Sequence, residues 1–292
     1  MVNDLPVKCL ADVKAVLGEG PLWVPEEAAL YWVDIKGPRI FRCAADGSGL
    51  TEWEPPLRVA SLAHRRGGGF IAGTEHGIAR IDLAAGSFDI AFDPEPERVS
   101  NRFNDGKLDR QGNFWAGTMD DAEERATGAL YRIDCGFGCT RADDGYQVTN
   151  GPAFSPDGRL LYHNDSARQV IYLFDHAEDG SLANKRVFAR FTGSEGYPDG
   201  MTVDAQGCLW VAFWDGWAVR RFDPEGRCIQ TVKMPVARPT SCAFGGKALD
   251  RLFVTSASIG LDREALAMQP YAGGLFVLEP GVTGIAEVPF AG

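Results

Sequence analysis

Short hydrophobic segments recur along this chain at a nearly constant spacing. Six of them, Leu30-Tyr31-Trp32, Phe70-Ile71, Phe114-Trp115, Leu161-Tyr162, Leu209-Trp210 and Leu252-Phe253, begin at intervals of 40, 44, 47, 48 and 43 residues. Four strands of about 5 to 6 residues with their turns fill that length, the period of a propeller blade. Most segments follow a turn with Gly or Asn available for positive φ, such as Arg110-Gln111-Gly112-Asn113, Pro156-Asp157-Gly158 and Asp204-Ala205-Gln206-Gly207. Most are followed by an alternating, half-buried pattern that ends in an acid, as in Ile78 to Asp82, Ala129 to Asp134, Val170 to Asp175 and Ala218 to Asp223. No sustained helical periodicity occurs, and Asp262 to Ala267 offers at most one short helical turn. The pattern predicts an all-β chain, residues 1–292 forming a single six-bladed β-propeller, with the anchors as outer strands. A ring must close, and Val7-Lys8-Cys9-Leu10 and Gly284-Ile285-Ala286-Glu287-Val288 are expected to pair within one blade, protecting its edges.

A second regularity runs through the same repeats. Ten or eleven residues before each anchor lies a slot near the start of an expected inner strand, holding Glu19, Ala60, Asn104, Asn150, Asp199 and Ser241 in turn. Inner strands line the channel of a propeller, so equivalent slots face one another across its axis. Glu19, Asn150 and Asp199 are flanked by Gly or Pro, which lets the backbone turn sharply and aim the side chain inward. Two carboxylates and an amide oxygen are hard ligands suited to one divalent ion: Ca²⁺, Mg²⁺ or Mn²⁺, with Zn²⁺ or Fe²⁺ compatible with an open site. Asn101-Arg102-Phe103-Asn104-Asp105-Gly106-Lys107 is unusually polar for an inner strand. Arg102 offers a fork of donors for hydroxyls or an anion, and Asn104 can both donate and accept. Phe114-Trp115-Ala116-Gly117-Thr118-Met119 leads into the acidic stretch Asp120 to Glu124, which reads either as a solvated loop or as one whose Glu123 or Asp121 touches a ligand. Trp214 and Trp217 are candidates for stacking on a sugar face or for ordinary rim packing.

Composition narrows the functional classes. A formal net charge of -11 and a pI near 4.9 oppose nucleic-acid binding, and no basic cluster exceeds Arg65-Arg66. Residues 1–20 lack a basic start followed by an apolar stretch, and no apolar run is long enough to span a bilayer, so a cytoplasmic protein without membrane attachment is expected, a monomer or weak oligomer. The seven cysteines are odd in number and scattered, which fits reduced thiols; Cys135 and Cys139, the one close pair, lack a second pair to complete a zinc site. His163, beside Asn164 and Asp165, reads as a strand residue near the site. No nucleophile elbow, Walker loop or dinucleotide fingerprint is present.

Taken together, Leu17-Gly18-Glu19-Gly20-Pro21, Asn101 to Lys107, Ala116 to Met119, Asn150-Gly151, Pro198-Asp199-Gly200-Met201 and Thr240 to Gly246 resemble the family of regucalcin (senescence marker protein), gluconolactonase and luciferin-regenerating enzyme. The resemblance covers nearly the whole chain and implies a six-bladed propeller with one divalent metal in its channel. It implies that Glu19, Asn150 and Asp199 are metal ligands, that Asp199 is also the general base, and that Arg102 and Asn104 contact the sugar ring. The family commonly places a substrate-contacting Glu after Gly117-Thr118-Met119; here the direct position is Ala122, with Glu123 next. The implied activity is hydrolysis of an aldonic acid lactone to the free sugar acid. The alternatives are a calcium-binding regulatory propeller and a propeller hydrolase of aryl esters or organophosphates.

Overall fold

A computed structural model describes residues 5–292; Met1 to Asp4, part of the stretch in which a leader was sought, lie outside the described residues. Six four-stranded antiparallel sheets form a six-bladed propeller. The innermost strands are Gly18–Val24, Val59–His64, Asn101–Leu108, Thr149–Phe154, Tyr197–Val203 and Pro239–Gly245. The aromatic anchors are the second strands counted from the axis, Ala29–Asp34, Phe70–Thr74, Phe114–Asp120, Leu160–Asp165, Leu209–Trp214 and Arg251–Ser256, and not the outer ones. The reason is burial: a second strand is covered on both faces by neighbouring blades, so it reads as a continuous apolar run, and Trp32, Trp115 and Trp210 are almost fully buried there. The outer strands are short or polar, as in Thr51–Trp53 and Leu182–Arg190.

Two of the hairpin turns do more than reverse the chain. Asp109 accepts the backbone N–H groups of Gln111 and Asn113 on one carboxylate oxygen and the indole N–H of Trp115 on the other, at 2.9 Å. Asp204 does the same for Gln206, Cys208 and Trp210, the indole again at 2.9 Å. An Asp placed six residues before a buried Trp thus fixes the turn and satisfies the one polar atom that the ring carries inward.

Closure of the ring differs from expectation at its C-terminal side. Lys8–Ala11 does become the outermost strand of the sixth blade, but its partner is Leu275–Leu278. Gly284 to Val288 is no strand; it belongs to a strap beyond that blade. Thr283 O accepts from Ala205 N, Gly284 N donates to Leu249 O, and Phe290 N donates to His64 O. Those three partners sit at turns between first and second strands, so the strap crosses the end of the channel opposite the slot residues. Leu275 to Leu278 is the better strand because its apolar residues sit buried between blades. The only α-helix among the described residues is Arg263–Met268, capped by Asp262 Oδ1 on Ala265 N at 2.8 Å.

The blades approach closely near the axis. A Cβ on Gly200, in the inner strand of blade five, would lie 2.8 Å from Ser241 Cα in the inner strand of blade six and closer still to its side chain. Gly200→Ala is therefore expected to lower unfolding stability by about 1–3 kcal/mol through overpacking. Urea unfolding of the two proteins measures it, and an unchanged midpoint would show that the blades can part without loss.

Candidate metal and substrate site

Every inner strand is irregular at its slot. The register between first and second strands shifts between Glu19 and Leu22, Val59 and Ser61, Phe103 and Gly106, Asn150 and Ala153, Pro198 and Met201, and Pro239 and Cys242. Bulges of this kind break the strict alternation of side chains and re-aim them, here toward the axis. Gly20 and Gly151 take positive φ within them, at 54° and 78°. One cavity of about 520 Å³, within the range of small-molecule sites, is lined by Glu19, Asn104, Asn150 and Asp199 together with Arg102 and Glu123. All six expected site residues meet there.

A continuous hydrogen-bonded chain orders the polar wall. Arg102 is almost completely buried and donates through Nε to Asp121 Oδ1 at 2.5 Å, and through Nη1 to Asn104 Oδ1 at 2.8 Å. Asn104 Nδ2 donates to Asn150 Oδ1 at 3.0 Å and to Thr149 O, and Asn150 Nδ2 donates to Ser166 Oγ at 2.8 Å. Ser166 then donates to Pro198 O, and Asn164 Nδ2 to Asp199 O, tying the fourth blade to the fifth. Asn150 Oδ1 keeps a second lone pair. Asp121 faces Arg102, Lys36 and Arg58 at once and so anchors the wall, whereas Glu123, its backbone at φ 61°, lines the cavity itself. Burial disfavours ionisation of Asp121, yet the hydrogen bonds from Lys36, Arg102 and Arg58 outweigh it and hold the carboxyl well below the usual carboxylate range.

The two slot carboxylates stand in the opposite condition. Glu19 and Asp199 are buried, and among the described residues each accepts only the N–H of the following glycine, at 3.1 and 3.0 Å, with no cationic partner. Burial first, then repulsion from Asp105, raises Glu19 well above its ordinary pKa; burial, then Glu19 and Asp105, does the same for Asp199. Asp105 is the residue that repeat counting missed. It follows Asn104 within the same bulge, accepts Gly106 N and Gly151 N at 2.8 and 3.0 Å, and is pushed up to about 6 by burial despite Lys107. Its signal was Asn-Asp-Gly itself: a bulge can send two successive side chains inward.

These residues fit a hard divalent cation. The donors that converge are all oxygens, and two of them belong to buried carboxyls that no cationic side chain bonds among the described residues. Among the described residues no three His, Cys, Asp or Glu side chains form a ready cluster, so an amide oxygen has to complete a three-ligand set, and Asn150 lies in the same cavity. Other expected residues sit elsewhere. His163 is wholly buried against the Tyr146 ring, with its pKa pushed down to about 3 by burial, and is not in the cavity. Trp214 lines the cavity under Arg238, whose guanidinium carbon is 4.8 Å from the ring centroid; Trp217 is half-exposed and lies outside it. Lys36, Ser166, Tyr197 and Arg238 also line it and came from no motif. All seven cysteines are free thiols, and no helix is long and apolar enough to cross a membrane.

The raised carboxylates give a signed prediction for the metal-free protein. A folded-state pKa above the unfolded one means that the native state holds a proton the unfolded chain has lost, so stability falls as pH rises from near 4 through about 6 and beyond. Asp121 acts below that window, since a depressed carboxyl contributes stability that is lost only at lower pH. The thermal midpoint is therefore expected to fall as pH rises across this range in chelator, and added divalent ion to give a stabilisation that grows with pH. A metal-induced shift that shrank with rising pH would contradict this reading.

Comparison with known proteins gives a consistent picture. The family model described as the SMP-30/Gluconolactonase/LRE-like region matches residues 17–258. The chain is 41% identical to an L-arabinolactonase of Azospirillum brasilense, over 97% of this chain and 95% of that protein. It is 36% identical to regucalcin of Gallus gallus, over 100% of both. A crystal structure of a calcium-binding protein, regucalcin, from Agrobacterium tumefaciens superposes with a TM-score of 0.94 at 28% identity, covering 99% of each chain.

Proposed function

The chain belongs to the SMP-30/gluconolactonase/LRE-like family, and on that premise we propose that it is a metal-dependent hydrolase of an aldonic acid lactone, releasing the free sugar acid. The observation that carries this reading is the hydrogen-bonded wall Asp121–Arg102–Asn104–Asn150 beside two buried, uncompensated carboxylates in one cavity. Glu19, Asn150 and Asp199 would hold the ion, which when bound supplies Lewis-acid polarisation of the lactone carbonyl and charge for the anion that builds up on it. Arg102 presents its remaining Nη2 donors and Asn104 the second lone pair of its Oδ1 to ring hydroxyls, and Glu123 presents a carboxylate acceptor in the same cavity. Their buried, mutually bonded placement orders them before substrate arrives. Trp214, Tyr197 and Met119 offer apolar surface to the C–H face of a sugar.

Asp199 accepts the proton of the attacking water at the carboxylate oxygen that Gly200 N–H leaves free. The acyl–oxygen bond of the ring then breaks, and Asp199 returns the proton to the departing ring oxygen as it becomes a hydroxyl. Water and lactone are consumed, hydroxy acid is formed, and the enzyme is restored.

A calcium-binding regulatory role is the second reading, favoured by the likeness to a protein described as calcium-binding. It leaves the Arg102–Asn104 wall and Glu123 without a task. An aryl-ester or organophosphate hydrolase would need a mouth less dominated by Arg102, Glu123, Lys36 and Arg238. Glucono-, xylono-, arabinono- and galactonolactones, each tested with several divalent ions and corrected for spontaneous hydrolysis, separate the three. Acceleration of at least one lactone is expected; no acceleration with any combination would remove the lactonase reading and favour the binding one.

A further inference from the structure

Ser166 lines the cavity but belongs to none of the repeat slots. It lies in the turn that follows the second strand of blade four, Leu160–Asp165. That turn is tied to the entry of the inner strand: the buried carboxylate of Asp165 accepts the N–H groups of Gln147 and Val148 at 3.0 and 3.2 Å, and Ser166 N donates to Val148 O at 2.9 Å. The hydroxyl so placed is buried, with Pro198 O at 2.6 Å, Asn164 Oδ1 at 3.3 Å and Asn150 Nδ2 at 2.8 Å. A carbonyl can only accept, and Asn164 turns its amide N–H to Asp199 O at 2.8 Å, so its oxygen is the end that faces Ser166. The single proton of the hydroxyl goes to these acceptors, which leaves a lone pair for Asn150. Only the nitrogen end of the Asn150 amide can meet it. The oxygen end is fixed by the same proton count, since Asn104 Nδ2 gives one N–H to the Thr149 carbonyl at 2.8 Å and the other to Asn150 Oδ1 at 3.0 Å.

We propose that Ser166 is a positioning residue for the ion-holding set: its hydroxyl fixes the polarity of the Asn150 amide, so that the oxygen and not the nitrogen is available to a divalent cation. Through its bond to Pro198 O it also ties that amide to the strand that carries Asp199. This rests on the assignment of Glu19, Asn150 and Asp199 as the ion-holding set. Without the hydroxyl, Asn150 Nδ2 is a buried donor with no acceptor, and the amide gains by rotating out of the orientation that a cation needs. Loss of a partner one bond removed from a metal ligand lowers metal affinity by about ten- to a hundredfold.

Calcium(II), manganese(II) and zinc(II), each titrated by calorimetry into the chelator-stripped full chain, test the proposal without reference to activity. Ser166→Ala is expected to weaken binding of the ion that the parent takes by about tenfold or more. Ser166→Thr, which keeps the hydroxyl, should stay near the parent. The sharper comparison uses Asn150→Asp, because a carboxylate carries oxygen at both ends and its polarity needs no fixing. In that background Ser166→Ala should cost little, whereas a merely structural serine would cost the same in both. Should Ser166→Ala not fold, Ser166→Cys, similar in shape but a weak acceptor, takes its place; should Asn150→Asp bind no ion, the contrast between Ser166→Ala and Ser166→Thr decides. Parental affinity in Ser166→Ala, or equal losses in the two backgrounds, overturns the proposal alone. No binding of any of the three ions by the parent overturns the ion assignment and the proposal with it.

Discussion

Asp199→Asn is expected to abolish lactone hydrolysis, lowering kcat/KM by about a thousandfold or more, while leaving the metal-free fold at least as stable as the parent. The first half follows from two duties lost together: an amide cannot accept the proton of the attacking water, and it removes one of two anions from the ion-holding set. The second half follows from the burial and repulsion that raise Asp199. A neutral isostere in that position relieves both, so the thermal midpoint in chelator should stay level or rise near neutral pH, and the stabilisation that divalent ions give the parent should nearly vanish. A purely structural aspartate would behave in the reverse way, with stability lost and residual activity proportional to the folded fraction. Steady-state kinetics and melting with and without metal distinguish the two.

Asp121→Ala is expected to act on binding and stability, with little effect on the ion. Arg102 is buried with Asp121 as its counter-ion, and removing the acid strands the guanidinium with only the Phe103 carbonyl and Asn104 Oδ1 as acceptors. Breaking such a pair costs more than forming it contributes; because Asp121 is one-third exposed, water offsets part of that loss, and about 2–3 kcal/mol of stability should be lost. Lys36 and Arg58 lose the same anchor. The wall that orients the sugar then loosens, so KM should rise by about tenfold or more, with metal affinity changed far less. Equal losses in metal affinity and KM would mean that Asp121 supports the ion site directly.

Much of this architecture is legible in the sequence because a propeller repeats its physics. Second strands buried on both faces write an apolar signal at each interval, and the slot ten or eleven residues earlier places Glu19, Asn104, Asn150 and Asp199 in one cavity. What the repeat could not carry is whatever breaks it. Asp105 escaped because a single-residue slot presumes strict alternation, which the bulge between Phe103 and Gly106 suspends. Lys36, Ser166, Tyr197 and Arg238 come from loops and strand ends of variable length, where no period applies. The partner of the N-terminal strand was misplaced because Gly284 to Val288 alternates like a strand, yet its backbone bonds go to turns of several blades. Between Glu123 and Asp121 the sequence offers no choice, since an acid in a loop does not announce the three cations that fold against Asp121.

The most direct measurement is a titration of activity with metal. The chain is stripped with chelator, and lactone hydrolysis above the spontaneous rate is followed as a divalent ion is added back to a concentrated protein solution. Activity is expected to be absent at the start, to rise in proportion to added ion, and to level at one equivalent per chain. Hydrolysis that is equally fast in the stripped protein and indifferent to added ion would contradict a metal-dependent lactonase built on Glu19, Asn150 and Asp199.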